Sequence, residues 1–364
     1  MIISEIAEIL ESLAPLNTAE DFDNVGLLVG DPKQQVNGIL VTLDTLESVL
    51  DEALEKNCNL IISFHPIIFN GLKTLTGRTY VERVVMKAIK HDIAIYALHT
   101  ALDNAPEGVN AKLCEVLGIV NPNILIPKAS GLRKLTTYVP KDQAATLLQA
   151  LFDAGAGHLG EYSHCSFQLV GTGSFKPLDK AKPTLGTKGK LHTEEETQIQ
   201  VVLPTHKKGA VITALHDHHP YEEVAYEVFE MENTNRHLGM GMIGELKEAL
   251  GEEQFLNHVK AKLKTGVIRH SSLLGRPVKK VAVLGGSGAF AISSAKSQGA
   301  DAFITADVKY HQFYEAEDQI LVLDVGHYES EQFTKALIHD NLRKKIANFA
   351  ILISESITNP VYYY

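Results

Sequence analysis

The chain has 364 residues, 45% of them apolar and 21% charged, with a formal net charge of −10. That length exceeds one simple core and points to two domains of ordinary globular composition. The acidic balance argues against sequence-independent grip on duplex nucleic acid, and no apolar run approaches a membrane span. Cys58, Cys114 and Cys165 form no CxxC pair and no disulfide framework, which fits a reducing cytosol. Met1 to Pro15 lacks a basic n-region and is not expected to act as a signal peptide.

In chain order, Ile2 to Leu13 has the periodicity of an amphipathic helix. Gly38 to Leu43, Leu60 to Phe64 and Ile93 to Leu98 read as strands, separated by helices over Leu46 to Lys56 and Tyr80 to His91. Another helix covers Gly108 to Leu117. Alternation of this kind predicts an α/β domain with a mixed, mostly parallel sheet.

The pattern changes near Gly131. Strands over Leu135 to Val139 and Ser166 to Val170 flank a helix over Asp142 to Ala154. A Gly-, Pro- and Lys-rich stretch from Gly171 to Lys190 reads as a loop. Strands over Thr197 to Leu203 and Glu223 to Phe229 then flank a helix over Lys208 to Asp217. Strand-helix-strand, twice, predicts a ferredoxin-like α+β unit inserted at residues 131–232.

The first pattern then returns. A helix over Gly251 to Leu263 precedes strands over Lys280 to Leu284, Ala302 to Thr305 and Gln319 to Leu323. Helices cover Ala289 to Gln298 and Glu329 to Asn341, and Phe349 to Ser354 is the candidate last strand. One α/β core split into residues 1–130 and 233–364 explains this return.

Four candidate metal ligands lie just past apolar runs. His65 follows Asn59 to Phe64, Asp103 follows Ile93 to Leu102, and His327 and Glu331 follow Ile320 to Gly326. Ligands in open α/β sheets collect beyond the carboxyl ends of the strands, so these residues are expected to share one crevice. Two imidazoles and two carboxylates suit zinc, iron or manganese. Each fragment has a plain alternative. His327 and Glu331, four apart on a predicted helix, are also the spacing of a surface pair. His65 before Pro66 also fits a capped core histidine, and Asp103-Asn104 a loop turn.

Together these residues carry a resemblance. His65-Pro-Ile-Ile-Phe, His99-Thr-Ala-Leu-Asp103-Asn-Ala-Pro-Glu-Gly-Val-Asn110, Gly285-Gly-Ser-Gly288, Thr305-Ala-Asp-Val-Lys-Tyr-His311 and Asp324-Val-Gly-His-Tyr-Glu-Ser-Glu331 stand in order along the chain. With Asp23-Asn-Val-Gly-Leu-Leu-Val-Gly30 they resemble the Nif-three-like family, also called the GTP cyclohydrolase 1 type 2 family. Tyr138-Val-Pro140, Gly155-Ala-Gly-His-Leu-Gly160 and His219-Pro-Tyr-Glu-Glu-Val-Ala-Tyr226 resemble its longer bacterial members. Their insertion is similar to the PII and CutA signalling proteins.

The resemblance implies a three-layer core, a toroidal homohexamer and two divalent metals per subunit, with zinc the first choice. It implies that His65 and Asp103 hold one metal, His327 the other, and that Glu331 bridges. The family usually has two consecutive histidines before the Pro, whereas here the first is Phe64. A phenyl ring cannot ligate, so the two metal positions are expected to be unequal. Phe22 likewise stands where the family usually has Trp.

His99 and His311 are candidate acid–base groups, with Asp307 and Lys309 beside them; fixing ligand geometry is the competing role. Gly285 to Ala291 partly fits a dinucleotide fingerprint, with Asp307 downstream. The resemblance makes it instead a turn lining the metal crevice, with backbone N–H groups as candidates to hold an anion. His216, His218 and His219 look like a metal cluster but are expected to be structural or solvent-facing.

Two functions compete. One is a metal-dependent hydrolase acting on a small molecule, for which the family name implies opening of the GTP imidazole ring with release of formate. The other is a hexameric regulatory protein binding a metabolite, or less readily a nucleic acid, with structural metals. Both readings place the protein in the cytoplasm, off the membrane.

Overall fold

Short apolar runs become strands, and longer amphipathic stretches become helices beside them. In chain order the strands are β1 (Gly26–Val29), β2 (Ile39–Thr42), β3 (Leu60–Ser63), β4 (Ala94–Ala97), β5 (Ile119–Lys128), β6 (Leu132–Pro140), β7 (Ser166–Phe175) and β8 (His192–Pro204). They continue as β9 (Tyr226–Glu230), β10 (Asn235–Leu250), β11 (Arg269–His270), β12 (Val278–Ser287), β13 (Ala302–Ala306), β14 (Leu321–Asp324) and β15 (Ile351–Ile353). The structure is a computed structural model and describes residues 1–129 and 131–364. It divides into two units, Met1–Ile126 with Leu238–Tyr364, and Pro127–His237. These division points fall inside β5 and β10. Ser130, the last residue of the expected first segment, lies outside the described residues.

The first unit holds two sheets, which corrects the expectation of one. The first has the order β1-β4-β3-β2-β15, and only β1 runs antiparallel to its neighbour. The second has the order β11-β14-β13-β12-β10-β5. Its central strands β12, β13 and β14 are parallel, while β10 and β11 are antiparallel to β12 and β14.

The two sheets stay separate because each is apolar on both faces and needs helices on both. In the first, Ile39, Val41, Leu60, Ile62 and Tyr96 cluster with helices Ile3–Leu13 and Thr334–Lys345. The alternating residues Leu40, Ile61 and Ile95 cluster with helices Glu47–Glu55 and Tyr80–Lys90. In the second, Val281, Val283, Ile304 and Leu323 pack with helices Val109–Leu117 and Glu252–Leu263. Ala282, Phe303 and Val322 pack on the other side with helix Ile292–Ser297. Burial of each large aliphatic side chain contributes about 1.5–3 kcal/mol, so every layer is held by many such terms.

Two local expectations change. His99–Asp103, expected as loop, is a short helix. The expected helix Glu329 to Asn341 is two helices, His327–Glu331 and Thr334–Lys345.

In the second unit, helix Ala144–Asp153 joins β6 to β7 and helix Lys208–His218 joins β8 to β9. The sheet order is β7-β8-β6-β9, antiparallel throughout. Leu135, Ile199 and Val201 pack against Leu147, Leu151, Val211 and Leu215 from the two helices. The stretch expected as loop from Gly171 remains strand as far as Phe175.

Candidate metal centre

In the first unit, His65 follows β3 and Asp44 follows β2, both in the first sheet. Asp307 follows β13 and His327 follows β14, both in the second. β2 runs parallel to β3 and β13 parallel to β14, so within each pair the carboxyl ends present these side chains at the same edge. Helix His327–Glu331 turns Glu331 back onto the same point, and helix His99–Asp103 brings Asp103 from the end of β4.

The geometry centres on Glu331. Its Oε2 lies 3.1 Å from His65 Nε2 and 3.2 Å from His327 Nε2. The ligand atoms of these three residues all lie within 4.8 Å of one another. Glu331 Oε2 is buried without a hydrogen-bond partner, so the contacts are close yet lack hydrogen-bond direction. Asp103 Oδ1 is a second buried oxygen without a partner. It is not one of the tight trio, but it feels the charges of Glu331, His65 and His327.

Each imidazole is held from behind. His65 Nδ1 lies 2.8 Å from Asp44 Oδ1, and His327 Nδ1 lies 2.7 Å from Asp307 Oδ2. His99 Nδ1 lies 2.7 Å from Asp23 Oδ1, whose other oxygen accepts from the Thr100 N–H at 3.0 Å. The His99 and His65 ring centroids are 5.4 Å apart. A carboxylate on Nδ1 fixes that nitrogen as the donor and leaves Nε2 as a lone pair for a cation.

Charges follow from this packing. Burial opposes the cationic form of His65, but the carboxylates of Asp44 and Glu331 outweigh it and raise its pKa to about 9. Burial likewise opposes charge on His327, and Asp307 and Glu331 raise its pKa to about 10. Glu331 is buried, which favours its neutral form, yet the two imidazoles hold its pKa down to about 2. Asp103 is pushed well above the carboxylate range by burial and by Glu331. Two buried oxygens without partners and two imidazoles with Nε2 turned toward Glu331 fit a divalent ion, which would displace the Nε2 protons held in its absence, and the His/carboxylate donor set suits zinc, iron or manganese.

A cleft of about 400 Å³ opens beside these residues. Asp44, His65, Asp307, His327, Arg269 and Tyr363 are among the residues that line it. Arg269 is paired with Asp324 at 3.0 Å.

The other expectations sort clearly. His311 is exposed, its ring touches those of Tyr310 and Tyr314, and it is not among the residues that line the cleft. Asp307 holds His327 and accepts from Ser287 Oγ, so its place is behind that imidazole. Gly285 and Gly286 do line the site, but their N–H groups are not free for an anion: they donate to Asn110 Oδ1 and Ser330 Oγ. Gly286 has φ +66°, and a Cβ there would sit 2.3 Å from Glu331 Oε1, so glycine is required. In the second unit, His219 is buried, with Nε2 donating to the Tyr138 carbonyl and Nδ1 accepting from the Tyr221 N–H. That pairing is structural. Asp44 and Asp23 were missed by sequence reasoning, although Asp44 obeys the same strand-end rule as His65.

Comparison with known proteins places the whole chain beside a set of relatives. Residues 1–360 match the family Duf34/NIF3 (NGG1p interacting factor 3). A Bacillus subtilis protein named GTP cyclohydrolase 1 type 2 homolog is 40% identical, covering 98% of this chain and 97% of its own. The crystal structure of a Bacillus cereus protein related to NIF3 superposes with a TM-score of 0.86 at 38% identity, covering 100% of this chain and 99% of its own. A Staphylococcus aureus crystal structure gives a TM-score of 0.78 at 30% identity, with coverage of 100% and 99%.

Proposed function

The chain belongs to the Duf34/NIF3 family, and we propose on that premise that it is a metal-dependent hydrolase with a dinuclear centre. The observation that carries this reading is the convergence of His65, His327 and Glu331 beside the unpartnered Asp103. In this reading His65 and Asp103 hold one divalent ion, His327 holds the other, and Glu331 bridges. Zinc is the first candidate, with iron and manganese as alternatives. Such ions supply Lewis acidity toward a carbonyl or ring carbon and make water a stronger acid.

The chain's own groups do the rest. Asp44 and Asp307 keep the ligand imidazoles in register. His99, held at Nδ1 by Asp23, has Nε2 left to give or take a proton. The cleft admits a small molecule to one side of the centre. The relatives' name makes GTP the first substrate to test, with formate as the product to detect.

Two further parts belong to the same proposal. The unit Pro127–His237 is a ferredoxin-like insertion of the PII/CutA kind, supported by its doubled strand-helix-strand order and its antiparallel sheet β7-β8-β6-β9. The assembly is a cytoplasmic toroidal homohexamer, for which light scattering is the direct measurement. Among the described residues no helix is long and apolar enough to cross a membrane.

The deciding experiment is elemental analysis of protein purified without chelator, followed by a turnover assay. Metal at two equivalents and turnover lost with chelator support the hydrolase. Bound metal with no hydrolysis of any nucleotide supports a binding protein with structural metals instead.

A further inference from the structure

The ligand imidazoles and their carboxylates account for most of the site, but Asp44 has a second partner from an unexpected place. The chain beyond β15 is tied first to Glu52. That carboxylate accepts from Ser354 Oγ at 2.6 Å, the Glu355 N–H at 2.8 Å, the Ser356 N–H at 3.1 Å and Ser356 Oγ at 2.7 Å. Two residues further on, Thr358 Oγ1 donates to Asp44 Oδ2 at 2.8 Å. Thr358 is buried, and the other Asp44 oxygen is the one that holds His65 Nδ1. Asn359 Nδ2 then reaches Glu329 Oε1 at 3.4 Å, and Tyr363 lines the cleft.

We propose that Thr358 is a positioning residue for the metal centre, fixing through Asp44 the direction in which His65 presents Nε2. The inference rests on the metal reading given above. A carboxylate bound at one oxygen can still swing about its side-chain bond. Binding the second oxygen to Thr358 fixes the carboxylate plane, and with it the imidazole hydrogen-bonded to the first. Glu52 makes this possible by holding the segment on the Thr358 side of the site. The segment therefore takes part in the centre without ligating anything.

The test uses full-length wild type, Thr358→Val and Thr358→Ser. Valine keeps the branched shape and loses the hydroxyl, while serine keeps the hydroxyl. Each protein is stripped with chelator and titrated with Zn²⁺ by calorimetry and with Co²⁺ by visible absorption. Thr358→Val is expected to bind about 10- to 100-fold more weakly with an altered Co²⁺ spectrum, and Thr358→Ser to restore both to within about threefold. Thermal unfolding of the metal-free proteins shows whether valine has merely loosened the fold. A valine variant with wild-type affinity and spectrum overturns the proposal, and so does a loss that serine fails to restore. Wild type that takes up neither ion is a different failure, because it removes the metal reading itself.

Discussion

His65 Nε2 lies 3.1 Å from Glu331 Oε2, joining the end of a strand in one sheet to a helix leaving the other. Without an ion, the charge of Glu331 is what keeps two imidazoles close together. Glu331→Gln removes that charge and one ligand oxygen. Metal affinity is expected to fall by at least about 100-fold, since even residues behind ligands cost 10- to 100-fold. Calorimetric titration checks it, and a variant that still binds two equivalents tightly contradicts the bridging role.

Asp103 poses the opposite case. Its buried Oδ1 has no partner, and burial and Glu331 both oppose its charge. Asp103→Asn removes the ionisable group at nearly constant shape. Metal-free protein is expected to keep its stability to within about 1 kcal/mol, because burial and Glu331 already favour the neutral form of Asp103 and the amide is no better satisfied than the acid. Metal binding is expected to fall. The paired measurement is thermal unfolding with and without Zn²⁺: the variant should match wild type without metal and lose the upward shift with it. A large loss of metal-free stability would show that Asp103 is structural.

Phe64 is fully buried in the first core, with its ring centroid 4.9 Å from His65 and 5.6 Å from His99. It borders the centre without donating to it, so the two metal positions are expected to differ in affinity. Phe64→His should tighten the weaker position by about tenfold, or ~1.4 kcal/mol. It should also lower the stability of metal-free protein, because a buried imidazole needs a partner for each nitrogen. Two equal, tight positions in wild type, unchanged by the substitution, would sink this expectation.

Glu52 sets an acid limit on stability. Burial disfavours its charge, but hydrogen bonds from Lys56, Ser354, Glu355 and Ser356 outweigh burial and lower its pKa from 4.5 to about 2. A carboxyl depressed in the folded state stabilises fully above its unfolded value and loses that contribution as pH falls toward its folded value. The window here runs from about pH 4.5 down to about pH 2. At ~1.4 kcal/mol per unit the contribution is at most about 3 kcal/mol. Urea unfolding of wild type and Glu52→Gln should differ most near neutral pH and converge in that window. A constant difference down to pH 2.5 would assign the effect to packing.

Much of this architecture was legible because its strands are short, apolar and bounded by helices. Leu60–Ser63 and Leu321–Asp324 could hardly be read otherwise, and the ligands past them followed from the strand-end rule. Strand β10 carries Gly239, Gly241 and Gly244, residues that ordinarily interrupt a strand pattern. Their reason is spatial: a Cβ on Gly239 would sit 2.0 Å from the Ile126 carbonyl. Strand β5 contains Asn121, Pro122 and Asn123, a turn-like composition, yet Pro is tolerated at the sheet edge that β5 occupies. Asp44 and Asp23 escaped notice because their importance lies in what they hold across the fold. His311 was drawn toward the site by its place after β13, but the turn of chain beyond Asp307 carries it out to the surface.

The two-sheet origin of the centre has a consequence for how the protein comes into being. A nascent chain exposes His65 and Asp103 long before His327 and Glu331 leave the ribosome, with the whole of Pro127–His237 made in between. Strand β15, which completes the first sheet beside β2, and Thr358 come later still. If these four residues hold ions as proposed, capture by all of them would be a late event that marks the meeting of the two ends of the chain. An ion bound there would act as a clasp between the sheets, so its uptake would report that assembly of the subunit is finished.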